Sequence, residues 1–149
     1  MKILNEVKIS FMSESRNESL ARMCVTSFVS QLDPSVSELA EIKTAVSEAV
    51  TNCVVHGYRG IKGKIELLAR YSDDNTVTIR VTDHGCGIAD IEQAMEPLYT
   101  SAPEEERAGL GFAVMESFMD KVTVKSKVGK GTAVTMKRKL ISEKETVHK

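Results

Sequence analysis

Four stretches of the sequence carry residue types and spacings that could do chemistry. The first is Glu41, Thr44, Glu48, Thr51 and Asn52. On a helix, Glu41 and Glu48 lie two turns apart and Glu48 and Asn52 one turn apart, so these three share a face. A carboxylate there could polarise a hydroxyl or a water. An asparagine inside a helix competes for backbone hydrogen bonds and needs compensation; an amide oxygen facing a hard cation would supply it. A solvated polar face is the plainer reading of the same pattern.

The second stretch is Asp83-His84-Gly85-Cys86-Gly87-Ile88, at the end of a predicted strand. Val77, Ile79, Val81 and Asp83 point the same way along that strand, which places a carboxylate on the core face. An unpaired charge there is costly, so something should satisfy it. A ligand's exocyclic amine would do so, and Gly85 and Gly87 would let that ligand approach the backbone closely. A strand-terminal aspartate opening an Asx turn is the alternative.

The third stretch is Gly109-Leu110-Gly111-Phe112, just ahead of the helical run Ala113–Met119. Backbone N–H groups at a helix start suit a phosphate. Neither a strand before it nor a G-K-[ST] after it is present, so it is neither a Rossmann fingerprint nor a P-loop. Upstream, the polar segment Tyr99–Ala108 contains Thr100 and one cation, Arg107. It is long enough to form a lid over a bound phosphate chain. The fourth is Gly131-Thr132, whose hydroxyl could reach a ligand, although a tight turn before a β-favouring threonine explains it equally.

Helices come first and strands later. Val7–Phe11 alternates as a short opening strand. Ser15 with Glu18 forms a candidate capping box ahead of a helix whose apolar positions are Leu20, Ala21, Cys24, Val25, Phe28 and Leu32. Arg22 falls on that helix's opposite, exposed face. Asp33 as N-cap and Pro34 at the first helical position open a second helix. Its stripe runs Leu39, Ile42, Val46, Ala49, Val50, Cys53 and Val54, and His56-Gly57 ends it, with the glycine left-handed.

After Gly63 the period becomes two. Lys64–Tyr71 and Thr76–Thr82 read as an antiparallel pair joined at Asp73-Asp74-Asn75. Val122–Val124 and Ala133–Lys139 read as another pair across Val128–Gly131. This order predicts an α/β two-layer protein, with helices over one face of a largely antiparallel sheet.

A length of 149 residues suits one domain spanning 1–149, with a polar tail from about Ser142 that frays. A two-lobed protein kinase does not fit. Twenty Lys+Arg against 21 Asp+Glu give a formal charge of -1, which offers no field for nucleic acid or an anionic membrane. There is no signal-peptide core and no run of membrane-spanning length, so a cytoplasmic location is expected. Cys24, Cys53 and Cys86 match neither a disulfide framework nor a zinc site. Cys86 suits a small side chain packed at a pocket edge. His56, His84 and His148 stand in no triad, and Met115 and Met119 sit at core spacing.

The motifs are individually modest, but their order is specific. Glu48-x-x-x-Asn52, then Asp83-x-Gly85-x-Gly87, then Gly109-x-Gly111, then Gly131-Thr132 resembles the gyrase, Hsp90, histidine-kinase and MutL ATPase superfamily. Val46–Asn52 through His56-Gly57-Tyr58, Pro97–Thr100, Glu106-Arg107 and Met115–Asp120 are similar to the small anti-sigma serine kinases of that superfamily. The resemblance runs from about Val7 to Leu140.

It implies a Bergerat-type fold that binds ATP or ADP with Mg²⁺. On that pattern Asn52 holds Mg²⁺ and Glu48 is the general base for a substrate serine. Asp83 accepts the adenine amine, with Gly85 and Gly87 shaping the base pocket. Thr100, Arg107, Gly109, Leu110 and Gly111 meet the nucleotide's phosphate side, Thr132 helps at the adenine end, and Arg22 contacts a partner.

Such proteins are homodimers that hold a sigma factor, here of the sporulation sigma-F type, and phosphorylate an anti-anti-sigma protein. A stress-response sigma factor, a nucleotide-dependent clamp without kinase activity, and a detached histidine-kinase catalytic domain are the alternatives. The last would need a phospho-acceptor domain, for which this chain has no room. The short Arg59–Gly63 loop departs from the pattern. So does Ala102, at a lid position where the resemblance leads us to expect lysine, and this shifts the lid's charge onto Arg107.

Overall fold

The computed structural model describes residues 2–91, 95 and 111–141. Strand β1 (Ile3–Met12) is followed by helix α1 (Asn17–Val29), a short turn of 3₁₀ helix (Ser30–Leu32) and helix α2 (Val36–Asn52), which continues into a wider π turn (Cys53–Gly57). Strands β2 (Lys64–Ser72) and β3 (Thr76–Asp83), helix α3 (Gly111–Phe118), and strands β4 (Lys121–Lys127) and β5 (Gly131–Lys139) complete the described elements. The sheet order is β1-β2-β3-β5-β4, and every adjacent pair is antiparallel. The α/β two-layer expectation holds, and among the described residues no parallel pair is present. The frayed tail from Ser142 falls outside the described residues.

Alternation along β3 sets the inner face. Val77, Ile79 and Val81 are fully buried and Asp83 is 4% exposed, while Thr78, Arg80 and Thr82 face the open side of the sheet. Against the inner face pack Ile42, Ala45, Val46, Ala49 and Val50 of α2, with Ala21, Val25, Phe28 and Val29 of α1. Leu20, expected in the apolar stripe of α1, is exposed; the buried stripe is turned toward Val29. Met115 and Met119 are core residues as expected. Among the described residues, no helix is long and apolar enough to cross a membrane.

The element boundaries correct the sequence reading in four places. First, β1 begins at Ile3 rather than Val7, because its backbone pairs with β2 along its whole length even where its side chains are exposed. Second, α1 begins at Asn17 with no side-chain cap at Arg16. The Ser15–Glu18 box does not form, since both Glu18 oxygens are engaged elsewhere: Oε1 with Arg22 Nη1 at 2.7 Å and Oε2 with Thr51 Oγ1 at 2.8 Å. The Arg22 guanidinium gives Glu18 a charge-assisted bond stronger than one from a backbone N–H.

Third, Asp33 does not cap α2. It takes a left-handed conformation (φ 52) that closes the preceding 3₁₀ turn, so it lacks the extended backbone of an N-cap, and Pro34 lies ahead of the helix rather than at its first position. Ser35 caps instead: its hydroxyl accepts from Glu38 N at 3.0 Å, and Glu38 Oε1 accepts from Ser35 N at 2.9 Å. Fourth, α2 does not stop on a left-handed Gly57. The π turn carries it on, closed by Tyr58 N donating to Cys53 O at 2.9 Å.

Glu38 does more than cap. Its Oε2 accepts from Ile141 N at 2.7 Å, tying the exit of β5 to the start of α2, and the side chain is buried. Replacing it orphans two backbone donors, so Glu38→Ala should cost about 1–3 kcal/mol in denaturant unfolding. Glu38→Gln should recover most of that, because a capping box accepts glutamine. A Glu38→Ala loss under about 0.5 kcal/mol would show that the junction contributes little beyond solvent hydrogen bonds.

Candidate functional site

Asp83, at the end of β3, is the centre of the site. Its Oδ1 accepts from Gly85 N at 2.9 Å, and the Cys53 thiol and the Thr132 backbone N–H lie near enough to favour its charged form. Burial pushes its carboxyl above the ordinary aspartate range, and the three donors pull part of that shift back. The register argument from β3 is therefore correct: a carboxylate lies on the buried face and is met by a ring of donors.

Two glycines make room around it. A Cβ on Gly57 would stand 2.9 Å from Asp83 Oδ2, and one on Gly85 would collide with the Gly57 carbonyl oxygen at 2.0 Å. The glycine in His56-Gly57 is thus required by its closeness to Asp83, not by a left-handed cap. Cys86 N donates to Gly57 O at 2.9 Å and Gly129 N to Cys86 O at 2.8 Å. These bonds stitch the 84–87 loop between the π turn and the β4–β5 turn. Cys86 is exposed, with its thiol 3.1 Å from His56 O.

Thr132 pairs directly with Asp83 across β3 and β5. Its hydroxyl lies 2.8 Å from Ser126 Oγ, which also accepts from Ile88 N at 2.7 Å. Ser126 thereby joins the glycine loop to the residue expected at the base end. Tyr58 holds the other side: its hydroxyl donates to Lys64 O and accepts from His84 N at 2.8 Å.

On α2, Glu48 is 9% exposed and Asn52 follows one turn later. A Cβ on Gly111, the first residue of α3, would lie 3.0 Å from Asn52 Nδ2, so the start of α3 meets Asn52. Nδ2 is buried without a hydrogen-bond partner. A buried amide lacking a partner is a place that a ligand completes, and an amide oxygen suits Mg²⁺. The residues present therefore fit a cation and a phosphate chain.

The other members of that helix face are used elsewhere. Arg138 Nη1 donates to Glu41 Oε1 at 2.8 Å and to Phe118 O at 2.8 Å, so Glu41 braces α2 against β5 and the end of α3. Thr44 donates back to Ala40 O at 3.0 Å. Thr51 faces α1 through Glu18.

Arg22, expected on the exposed face of α1, is only one-third exposed at its side chain. Besides Glu18 it donates to Ser47 Oγ of α2 at 3.3 Å, so it lies in the α1–α2 seam. Thr100, Arg107, Gly109 and Leu110 fall outside the described residues. Cys53, Gly57, Tyr58 and Ser126 belong to the site, yet sequence reasoning did not assign them to it. Cys53 was hidden in an apolar stripe and Gly57 in a helix stop; Ser126 gave no local signal, as only strand register brings it to Thr132.

The fold and this site define a class: residues 11–138 match the family of the histidine kinase-like ATPase domain. Among solved structures the chain is similar to the RsbU and RsbW domains of Rv1364c from Mycobacterium tuberculosis, with a TM-score of 0.68 at 21% identity, over 92% of this chain and 33% of that one. It is also similar to full-length ShkA in complex with AMPPNP, with a TM-score of 0.56 at 21% identity, over 70% of this chain and 22% of that one. These two likenesses show the fold.

Curated relatives narrow the class. An anti-sigma F factor of Thermoanaerobacter sp. (strain X514) is 52% identical over 144 residues, covering 97% of this chain and 100% of that protein. Those of Clostridium acetobutylicum (52% over 135 residues, 91% and 94% covered) and Geobacillus thermodenitrificans (49% over 140 residues, 94% and 96% covered) agree. The chain belongs to the anti-sigma F factor family within the histidine kinase-like ATPases.

A carboxylate that receives an amine must be ionised. Because burial raises the Asp83 pKa, ATP affinity should fall on acidification from a higher pH than an unperturbed aspartate would give. Fluorescence titration with an ATP analogue between neutral and mildly acidic pH reads this directly. Asp83→Asn should weaken ATP by about tenfold or more, as expected for losing a hydrogen bond to a charged group. Affinity unchanged by both perturbations would remove Asp83 from the base pocket.

Proposed function

We propose that this protein is an anti-sigma factor that also acts as an ATP-dependent serine protein kinase. It binds and inhibits a sporulation sigma factor of the sigma-F type, and phosphorylates and inactivates an anti-anti-sigma partner. The observation that carries the kinase half is the buried Glu48 one turn from Asn52, on the helix that meets the start of α3. The anti-sigma half rests on the names of relatives that match nearly the full chain.

Asp83 takes the adenine amine, with Thr132 beside it. Asn52 holds Mg²⁺, which when bound supplies charge neutralisation for the phosphate chain. Glu48 takes the proton of the substrate serine hydroxyl as its oxygen forms a bond to the γ-phosphorus. The bond from that phosphorus to the bridging oxygen breaks, and ADP leaves. Phosphoryl transfer needs chiefly positioning and charge compensation, so a small domain suffices.

Arg22 presents its guanidinium at the α1–α2 surface, steadied by Glu18 and Ser47, where a partner's carboxylate could pair with it. The protein works as a homodimer in the cytoplasm, with Thr100, Arg107, Gly109, Leu110 and Gly111 meeting the phosphate side. A nucleotide-dependent clamp without transfer is the second reading, and a buried carboxylate at position 48 favours the kinase over it.

The test mixes the protein with labelled ATP, Mg²⁺ and an anti-anti-sigma protein. Glu48→Ala should lower serine labelling about 10²- to 10⁴-fold, the usual contribution of a general base, with ATP binding retained. Labelling that survives the substitution contradicts the assignment. A sigma-factor pull-down in ATP and in ADP separates kinase from clamp and names the sigma factor.

A further inference from the structure

Asp83, Thr132 and Ser126 form one row across β3, β5 and β4: Thr132 pairs with Asp83 on one side and with Ser126 on the other. Residues paired across strands share a face of the sheet, and Asp83 is buried on the inner one. Ser126 Oγ accepts from Ile88 N at 2.7 Å, lies 3.0 Å from Gly131 O and stands 2.8 Å from Thr132 Oγ1. A serine hydroxyl has one proton and two lone pairs, so these three contacts use all of it. Gly131 O can only accept, and without a proton it would face the serine oxygen lone pair to lone pair. The Ser126 proton therefore goes to Gly131 O, and in the 2.8 Å contact Thr132 donates to Ser126. Thr132 has then spent its one proton, and only lone pairs are left on its oxygen.

We infer that Ser126 is a positioning and specificity-determining residue for the nucleotide base. It takes the Thr132 proton, which makes Thr132 an acceptor that admits an amine and refuses a carbonyl. The inference rests on the reading of Asp83 and Thr132 as the base end of an ATP site. A 6-amino group carries two N–H bonds, enough to serve Asp83 and Thr132 together. A 6-oxo base keeps a ring N–H that Asp83 can accept, so its carbonyl is left against the Thr132 oxygen with no proton between them. Acceptors left unpaired in this way discriminate between otherwise similar ligands. Without the Ser126 oxygen, the Thr132 hydroxyl is free to rotate and donate to that carbonyl. The refusal is thus held from β4, two strands away from Asp83, through hydrogen bonds that involve no change of charge.

The test compares ATP, ITP and the triphosphate of purine riboside (which lacks any 6-substituent) by calorimetry on the full chain and its variants. Ser126→Ala removes the hydroxyl, Ser126→Thr keeps one, and Thr132→Val keeps the shape of threonine without its hydroxyl. Melting temperatures confirm that each variant is folded. Ser126→Ala should weaken ATP about 3- to 10-fold, the range of one hydrogen bond. ITP should lose less, so that the ATP:ITP ratio narrows by about threefold or more. Purine riboside triphosphate is the reference for any loss shared by all nucleotides, since Ile88 N also loses its acceptor. Ser126→Thr should restore the ratio. With Thr132→Val already in place, Ser126→Ala should leave the ratio where it is, because no threonine proton remains to be directed.

An ATP:ITP ratio unchanged by Ser126→Ala, with equal losses for all three triphosphates, overturns the inference. A change in the ratio that persists undiminished beside Thr132→Val, or that Ser126→Thr does not reverse, overturns it as well, because it marks a packing role. Thr132→Val and Asp83→Asn are each measured alone alongside. If neither moves the ratio, the base-end reading itself falls. If Asp83→Asn moves it and Ser126→Ala does not, only the role of Ser126 falls.

Discussion

The structure depends on one constraint: a carboxylate is buried at the end of β3. A charge on the core face of a strand is tolerated only when donors surround it, and the chain around Asp83 is arranged to provide them. Gly85 turns its N–H back on the carboxylate, and the β5 register brings Thr132 directly opposite. The π turn after α2 places Cys53 and a side-chain-free Gly57 against the carboxyl oxygens. Widened helical turns of this sort are frequent at functional sites. Here it redirects the chain after Asn52 so that the end of the helix meets the end of β3.

The same economy governs α2. Its polar residues divide by direction: Glu41 pairs with Arg138, Thr51 with Glu18, and Asn52, one turn past the buried Glu48, meets the start of α3. The first two pairings lock α2 against β5 and α1, so the third pair is carried on a helix braced from both sides. Arg22 is held in the same α1–α2 seam through Ser47, the residue before Glu48. The α1–α2 seam proposed to meet a partner and the helix proposed to serve the phosphate side are thus joined by direct hydrogen bonds.

Much of this was legible before any coordinates. Alternation along Thr76–Asp83 placed Asp83 on the buried face, because a period of two admits no other register. The 3.6-residue period placed Glu48 over Asn52 for an equally rigid reason. Less legible were features decided by competition or by distant pairing. Ser15 and Glu18 have the right letters for a cap, yet Glu18 is drawn to Arg22 and Thr51. Asp33 and Ser35 are both good caps, but Asp33 is used in the left-handed turn that closes the 3₁₀ helix, which leaves Ser35. Arg22 looks like a surface charge until α2 is packed beside it. Ser126 and Cys53 reach the site only through tertiary contacts, and nothing near them in the sequence marks it. Near-zero net charge was legible too, and it agrees with partners that are proteins.

The central claim is that the buried Asp83 carboxylate receives the amine of a bound adenine while Asn52 serves the phosphate side. A crystal structure of the protein with ADP and Mg²⁺ tests it most directly. The account predicts the exocyclic amine within hydrogen-bond distance of the Asp83 carboxylate, about 2.7–3.2 Å, and the cation on the Asn52 amide oxygen. An adenine seated away from Asp83, or a cation held without Asn52, would contradict it.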